Sequence, residues 1–414
     1  MPGDNFETIR PRNVAILVKM ETTPGTDAVP TAADAIPFEA DGYSYNSPYQ
    51  SEQSNEANGS LVAGAPLVSG RPAQVSIKVR VKGAGAGTVY SATVKPPHHV
   101  LFQACGKRGL FTASVSAAAL TAGSVNSATL GTGFAGVAQS YVGMPLQLAG
   151  GTSGGRIVHV SDYTAARVAT LADVFAAALD TSVTAALVPN WTYAGTSPKD
   201  TAARATDNPA ATIYIYEDGT LHKFVGCRGQ ISDCSGETAK PGFVTFQLTG
   251  IYAGAVDATM PTVTVPQHSA PVLAMGAGGV NPALVINRKE LKVSTWQLND
   301  GQQLSSPDDP NTPYGFGAAE IGGREPALVI DPLKTLKANR DPIAEIESGA
   351  IYPGVLRHGV TAGNRWSLTF PKLTISNLDY GTRDIYRKED QTLRALNPGL
   401  DAASRDSEAV FCFY

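Results

Sequence analysis

The chain has 414 residues and a formal net charge of −4, with 32 Lys and Arg against 36 Asp and Glu. That balance excludes a protein that wraps duplex DNA, because phosphate neutralisation needs clustered positive charge. Charged residues are only 16% of the chain, against roughly 25% in an ordinary soluble domain, and 42 Gly with 28 Pro are too many for a helical bundle. The length suits two or three domains.

In chain order, Val14-Ala-Ile-Leu-Val-Lys-Met opens as a strand. The run Val75-Ser-Ile-Lys-Val-Arg-Val-Lys alternates with period two, which predicts one buried and one cationic face. Pro96 and Pro97 before His98-His99-Val-Leu-Phe-Gln-Ala-Cys, with Gly106 after it, predict a short helix. The uncharged stretch 109–155 is broken throughout by Ser, Thr and Gly, so no membrane helix is expected. Met144-Pro-Leu-Gln-Leu and Arg156-Ile-Val-His-Val read as strands. So do Thr212-Ile-Tyr-Ile-Tyr and Leu221-His-Lys-Phe-Val, joined by the hairpin signal Asp218-Gly219. Phe243-Val-Thr-Phe-Gln-Leu alternates again, and Asp341-Pro342 marks a second helix start.

Shifting the sequence against itself by 253 places Tyr43 on Trp296, Asn46 on Asn299, Gln50 on Gln303 and Asn58 on Asn311. Gly64-Ala65 then meets Gly317-Ala318, Gly70-Arg71 meets Gly323-Arg324, and Ile77 meets Ile330. One inserted residue also brings Pro72-Ala73 onto Pro326-Ala327. The pattern implies two copies of one unit, each a strand, a long polar loop, Gly-Arg and another strand. The segment 112–206 is rich in Ala, Ser, Thr and Gly and nearly uncharged, and it reads as an insertion with strands of its own. The expected architecture is mainly β. A first discontinuous unit covers 1–111 and 207–265, a small β domain 112–206 is inserted, and a second unit covers 266–414.

Chemistry-bearing motifs fail on context. Gly151-Thr-Ser153-Gly-Gly155 has the spacing of a nucleophile elbow, yet a strand containing His159 follows where a helix is required. Gly83-Ala-Gly-Ala-Gly-Thr lacks the Gly-Lys-Ser/Thr ending and the spacing of phosphate loops. Adjacent His98 and His99 diverge on a helix, and Asp308-Asp309-Pro310-Asn311 lacks the glycine and distal glutamate of a calcium loop. Cys105, Cys227, Cys234 and Cys412 have no metal-type spacing and read as isolated buried thiols. The start, Met1-Pro-Gly-Asp-Asn-Phe-Glu, has no basic region before an apolar core, so synthesis in a reducing cytoplasm is expected. No catalytic residue, cofactor or metal site is expected.

Several stretches resemble the tail tube, or major tail, protein of long-tailed bacteriophages. Val14-Ala-Ile-Leu-Val-Lys-Met-Glu-Thr-Thr-Pro-Gly-Thr-Asp resembles the family's opening strand and E-T-x-x-G-T-D segment. Phe102-Gln-Ala-Cys-Gly, Ile213-Tyr-Ile-Tyr-Glu-Asp-Gly-Thr-Leu-His-Lys-Phe-Val-Gly and Val244-Thr-Phe-Gln-Leu-Thr-Gly-Ile-Tyr follow in the family's order. Gly363-Asn-Arg-Trp-Ser-Leu-Thr-Phe-Pro-Lys-Leu resembles its late hairpin.

The resemblance implies tandem β-sandwich or barrel units, each with a short helix, assembling into rings that stack as a hollow conduit for DNA ejection. A duplicated chain implies trimeric, pseudo-hexameric rings, with hexameric rings as the alternative. It implies as partners further copies of the chain, the tape measure protein, and the distal tail and tail terminator proteins. DNA is implied as transient cargo past a neutral or negative lumen, with no membrane. The implied location is the virion, after assembly in the host cytoplasm. Candidate contacts between rings are Asn46, Tyr49, Asn58, Gly70 and Arg71 in the first loop, and Asn299, Asp308, Asn311, Gly323 and Arg324 in the second. The rival readings are a capsid decoration or adhesin module and, through Ser153, a serine hydrolase.

Overall fold

The computed structural model describes residues 13–46, 50–54, 56–57, 59, 61–62, 64–273, 282–312 and 315–414. The fold is mainly β, with three short α-helices among the described residues.

The chain begins with β1 (Val14–Met20) and β2 (Tyr43–Asn46). A ribbon of β3 (Gln50–Glu52) and β4 (Leu67–Ser69) leads into β5 (Pro72–Arg80). In β5 the period-two pattern buries Val75, Ile77 and Val79 and leaves Lys78 and Arg80 outside. Helix α1 (His99–Ala104) stops at Gly106, whose φ of 65° suits the left-handed turn to β6 (Lys107–Thr112).

Seven strands follow: β7 (Val115–Ala119), β8 (Ala122–Gly123), β9 (Ser127–Thr129), β10 (Pro145–Ala149), β11 (Ile157–Tyr163), β12 (Val168–Leu171) and β13 (Thr184–Leu187). They form a sheet of their own over a separate core that includes Leu146, Val158, Val160 and Leu171.

Next come β14 (Asn190–Gly195), α2 (Thr201–Asp207) and the long strands β15 (Ala211–Glu217), β16 (Thr220–Glu237) and β17 (Phe243–Asp257). β14 lies between β6 and β27 (Asp406–Phe413) in the larger sheet, so the small sheet runs only from Val115 to Leu187. The turn between β15 and β16 is Asp218-Gly219, with both φ angles positive as the hairpin signal requires.

The remaining elements are β18 (Leu284–Ile286), β19 (Lys289–Glu290), β20 (Thr295–Asn299), a ribbon of β21 (Leu304–Ser305) and β22 (Glu320–Ile321), and β23 (Ala327–Ile330). Helix α3 (Pro342–Glu347), β24 (Tyr352–His358), β25 (Trp366–Arg383) and β26 (Tyr386–Ala395) precede β27. Asp341 caps α3 by accepting the Ala344 N–H.

The large sheet curls into a half-barrel in the order β19-β18-β24-β25-β26-β23-β20-β16-β17-β5-β2. Its strand registers repeat. Tyr43 faces Ile77 and Asn46 faces Gln74; Trp296 faces Ile330 and Asn299 faces Ala327. In the ribbons, Ser51 faces Val68 and Glu52 faces Leu67, while Leu304 faces Ile321 and Ser305 faces Glu320. Every partner is displaced by 253, so no residue is inserted before the second strand. Pro72 corresponds to Glu325 and not to Pro326. Outside these pairs the orders also agree: β2-β5-β17-β16-β15-β1 against β20-β23-β26-β25-β24-β18.

The main core, with Ile77, Phe102, Phe246, Trp296, Leu328 and Phe370 among its residues, runs beneath the large sheet.

Candidate functional site

β16 is much longer than its hairpin with β15 needs, and its far end projects past β15. There it pairs with β20: Cys234 with Leu298, Ser235 with Gln297, Gly236 with Trp296 and Glu237 with Thr295. Gly236 makes the joint possible, because a side chain there would stand 2.8 Å from the Trp296 ring. Below lies an aromatic stack in which His358 covers Trp366 at 4.3 Å. Burial pushes the His358 pKa down to about 3, so the ring is neutral at pH 7.

The β21–β22 ribbon and its flanks fold back onto the middle of β16 around Gly226 to Gly229 and onto the ends of β6 and β14. Lys107 Nζ donates to Asp300 Oδ1 at 2.7 Å with both side chains fully buried. Arg324 pairs with Asp406 and Glu408 and donates to the Thr196 carbonyl at 2.7 Å. Gln302 donates to the Gly229 carbonyl, Arg228 to the Ala319 carbonyl, and Arg204 pairs with Glu320. The glycine run at 83–87 makes a separate contact, with the turn between β24 and β25. Gly83 N–H donates to Asn364 Oδ1 and Gly87 N–H to the Ala362 carbonyl, where a side chain at Gly83 would meet the Gly363 carbonyl and Tyr90 hydroxyl.

Two edges corresponding to this joint are open. β2 ends the sheet, with β5 as its only strand partner among the described residues. β25 projects past Leu373, where β24 stops, and its distal edge has no strand partner on that side among the described residues. Tyr380, Ile385 and Tyr386 are exposed there.

The loop residues singled out from the sequence are divided by this arrangement. Arg324 is held inside the chain by its ion pairs. Asn299 is exposed, and its Oδ1 accepts the Gly301 N–H. Asp308 and Asn311 are exposed on the outer loop, where Asn311 is held by Asp309. Gly323 and Asn46 are exposed, Gly70 turns with a φ of 70°, and the Arg71 carbonyl accepts the Tyr252 N–H. Tyr49 and Asn58 lie outside the described residues. The buried partners Lys107, Asp300, Asp406 and Glu408 were missed. Their only sequence signal was charge flanking apolar runs, which a solvated face gives equally well.

The other motifs hold structural positions. Ser153 is buried, its Oγ donates to the Gly150 carbonyl at 2.6 Å, and β11 follows the turn. His159 reaches Arg357 instead, with Nδ1 accepting from Nε at 3.2 Å. His98 donates to the Arg80 carbonyl and His99 is hydrogen-bonded with Tyr193; burial lowers both pKa values to about 4. All four cysteines are buried free thiols.

The exposed face across the joint forms a recess of about 400 Å³ lined by Lys78, Asp233, Glu237, Phe243, Thr295 and Gln297, among others. Several cations on this side of the sheet are paired. Arg80 pairs with Glu39, Lys388 with Asp390, Arg394 with Glu325 and Arg383 with Asp331, while Lys78 lies over the Phe243 ring.

No protein-family model matches the chain, and no curated protein matches it.

Proposed function

We propose that this protein is a structural subunit of a phage tail tube, whose copies join head to tail into closed rings that stack as a conduit for DNA. The observation that carries the reading is the β16–β20 joint. It joins β16 to β20 within the chain and leaves the β2 edge and the distal edge of β25 without a strand partner among the described residues, which supports two similar units joined edge to edge. The shared displacement of 253 across β2, the ribbon and β5 supports tandem units, and the separate core at 115–187 supports an inserted outer domain. Such an edge-to-edge contact is heterologous, and it makes a ring when the rotation closes. Closure also removes the sheet edges that otherwise invite uncontrolled pairing.

Geometry favours three copies. Eight strands of each chain, from β25 to β2, lie in the path. Three copies give ~24 strands which, at about 4.8 Å spacing and about 40° tilt, close at a Cα diameter of roughly 50 Å. That leaves an open lumen for duplex DNA, whereas six copies would double the circumference. The pairing of Arg80, Arg383, Lys388 and Arg394 on the exposed face suits sliding, because unpaired cations hold phosphates through counterion release. The tape measure protein would occupy the lumen before DNA, and terminator and distal proteins would cap the ends in the virion.

Electron microscopy of the purified protein, alone or with tail initiation components, tests this. Tubes with a regular ring repeat are expected. Persistent monomers that bind a carbohydrate or a capsid would favour an adhesin or decoration module instead.

A further inference from the structure

Resting on the ring-forming reading, we propose a specific contact between copies. β2 of one copy adds to the open edge of β25 in the next, with Tyr45 opposite Tyr380, Ser44 opposite Gly381 and Tyr43 opposite Thr382. The ribbon beyond β2 lies over the apolar end of the neighbour's α3.

The register follows from pairings already within the chain. Phe246 faces Ile77 in the first half, and Gln391 faces Ile330 in the second, so Phe246 and Gln391 correspond. Two residues earlier, Val244 therefore corresponds to Glu389. Val244 faces Cys234 across the first hairpin, and Glu389 faces Tyr380 across the second. Cys234 thus has Tyr380 as its counterpart, and Ser235 has Gly381. Inside the chain Cys234 pairs with Leu298 and Ser235 with Gln297, which are Tyr45 and Ser44 displaced by 253. Faces agree as well. Trp296 and Leu298 are buried in the internal joint, whereas Tyr43 and Tyr45, at the same positions, remain partly exposed at the open edge. Tyr45 opposite Tyr380 makes an aromatic cross-strand pair.

The ribbon follows by the same correspondence. Ile321 packs beside Gly106, close enough that a side chain on Gly106 would meet it at 3.0 Å. Gly106 and Gly349 each follow their helix with φ near 60°, at 65° and 61°. Position 68 corresponds to Ile321, and neighbouring Leu67 is 68% exposed, as is Ile351 at 58% beside Gly349. Ile343 and Ile346 are exposed on α3, while Leu101, Phe102 and Ala104 of α1 are buried. Where Glu320 meets Arg204 inside the chain, Leu67 meets an apolar surface between copies.

The test is a disulfide across the predicted pair. Ser44→Cys with Gly381→Cys places directly opposed cysteines within bridging distance, and Ser44→Cys with Arg383→Cys places them diagonally, about 7–8 Å apart and too far. Native thiols are buried and do not interfere. Mild oxidation of assembled protein is expected to give covalent dimers and trimers of the first variant, at least about tenfold more than of the second. Leu67→Asp and Ile351→Asp, with unchanged melting temperature, are expected to abolish assembly. Rings that form but cross-link equally or preferentially through the diagonal pair overturn the register. Rings unaffected by both aspartates overturn the ribbon contact. Wild-type protein that forms no rings overturns the reading on which both rest.

Discussion

His358, His98 and His99 were legible as residues but not as buried ones, since nothing nearby in sequence says that Trp366 or Tyr193 covers them. Their neutrality has a consequence with a definite sign. Burial lowers each pKa from the ordinary histidine value of 6.5, to about 3 for His358 and about 4 for the other two, so the unfolded chain binds more protons between those values and 6.5. Stability is therefore complete above about pH 6.5 and is lost as pH falls towards 4, by on the order of 1 kcal/mol per pH unit for each histidine. Urea unfolding midpoints between pH 7.5 and 4.5 should fall, less steeply in His358→Gln. A flat profile would contradict the burial. A second residue joins the two sheets: Arg357 in β24 pairs with Asp173, both 2% exposed, and contacts His159. Arg357→Ala strands that carboxylate and is expected to cost about 3–5 kcal/mol, whereas removing both partners should cost less. Chemical denaturation of the single and double variants checks this.

Among elements, local pattern and long-range partner separate cleanly. Alternation in Val75 to Val79, Pro-led and Asp-capped helix starts, and the Asp218-Gly219 turn were legible because each is decided by residues within one or two turns of chain. The similar registers of β2–β5 and β20–β23 were foreshadowed by Asn, Gly and Arg matches, although matching prolines shift the alignment by one residue where strand pairing in these segments keeps 253. What β16 meets at its far end was not legible. Pairing between positions 236 and 296 depends on a glycine making room for an indole, and neither residue signals the other. Gly236→Val should therefore cost about 1–3 kcal/mol by overpacking against Trp296. Its tryptophan fluorescence should also shift as the joint opens, and an unchanged melting temperature and spectrum would show that the joint tolerates a side chain. The second polar loop is a candidate contact between rings; its base carries Asp300 and Arg324 into ion pairs within the chain, and Asp308 and Asn311 stand exposed beyond them.

At the scale of the molecule, low charge is compatible with assembly, and the proposed contact uses particular features. Open edges stand at β2 and β25, exposed apolar residues at Leu67 and Ile351, and paired cations such as Lys388 and Arg394 on the outer face of the sheet. Composition alone reached none of these, because the charge shortage is sharpest in the segment that builds its own sheet. If copies close as proposed, assembly depends on backbone pairing and apolar contact more than on ion pairs. Raising salt should leave rings intact, and sedimentation at low and high salt should give the same species. Native mass spectrometry of isolated rings tests the central claim most directly. A subunit of 43.1 kDa should give closed rings of about 129 kDa, three copies and six units. Monomers at every concentration, or rings with any other number of copies, would contradict it.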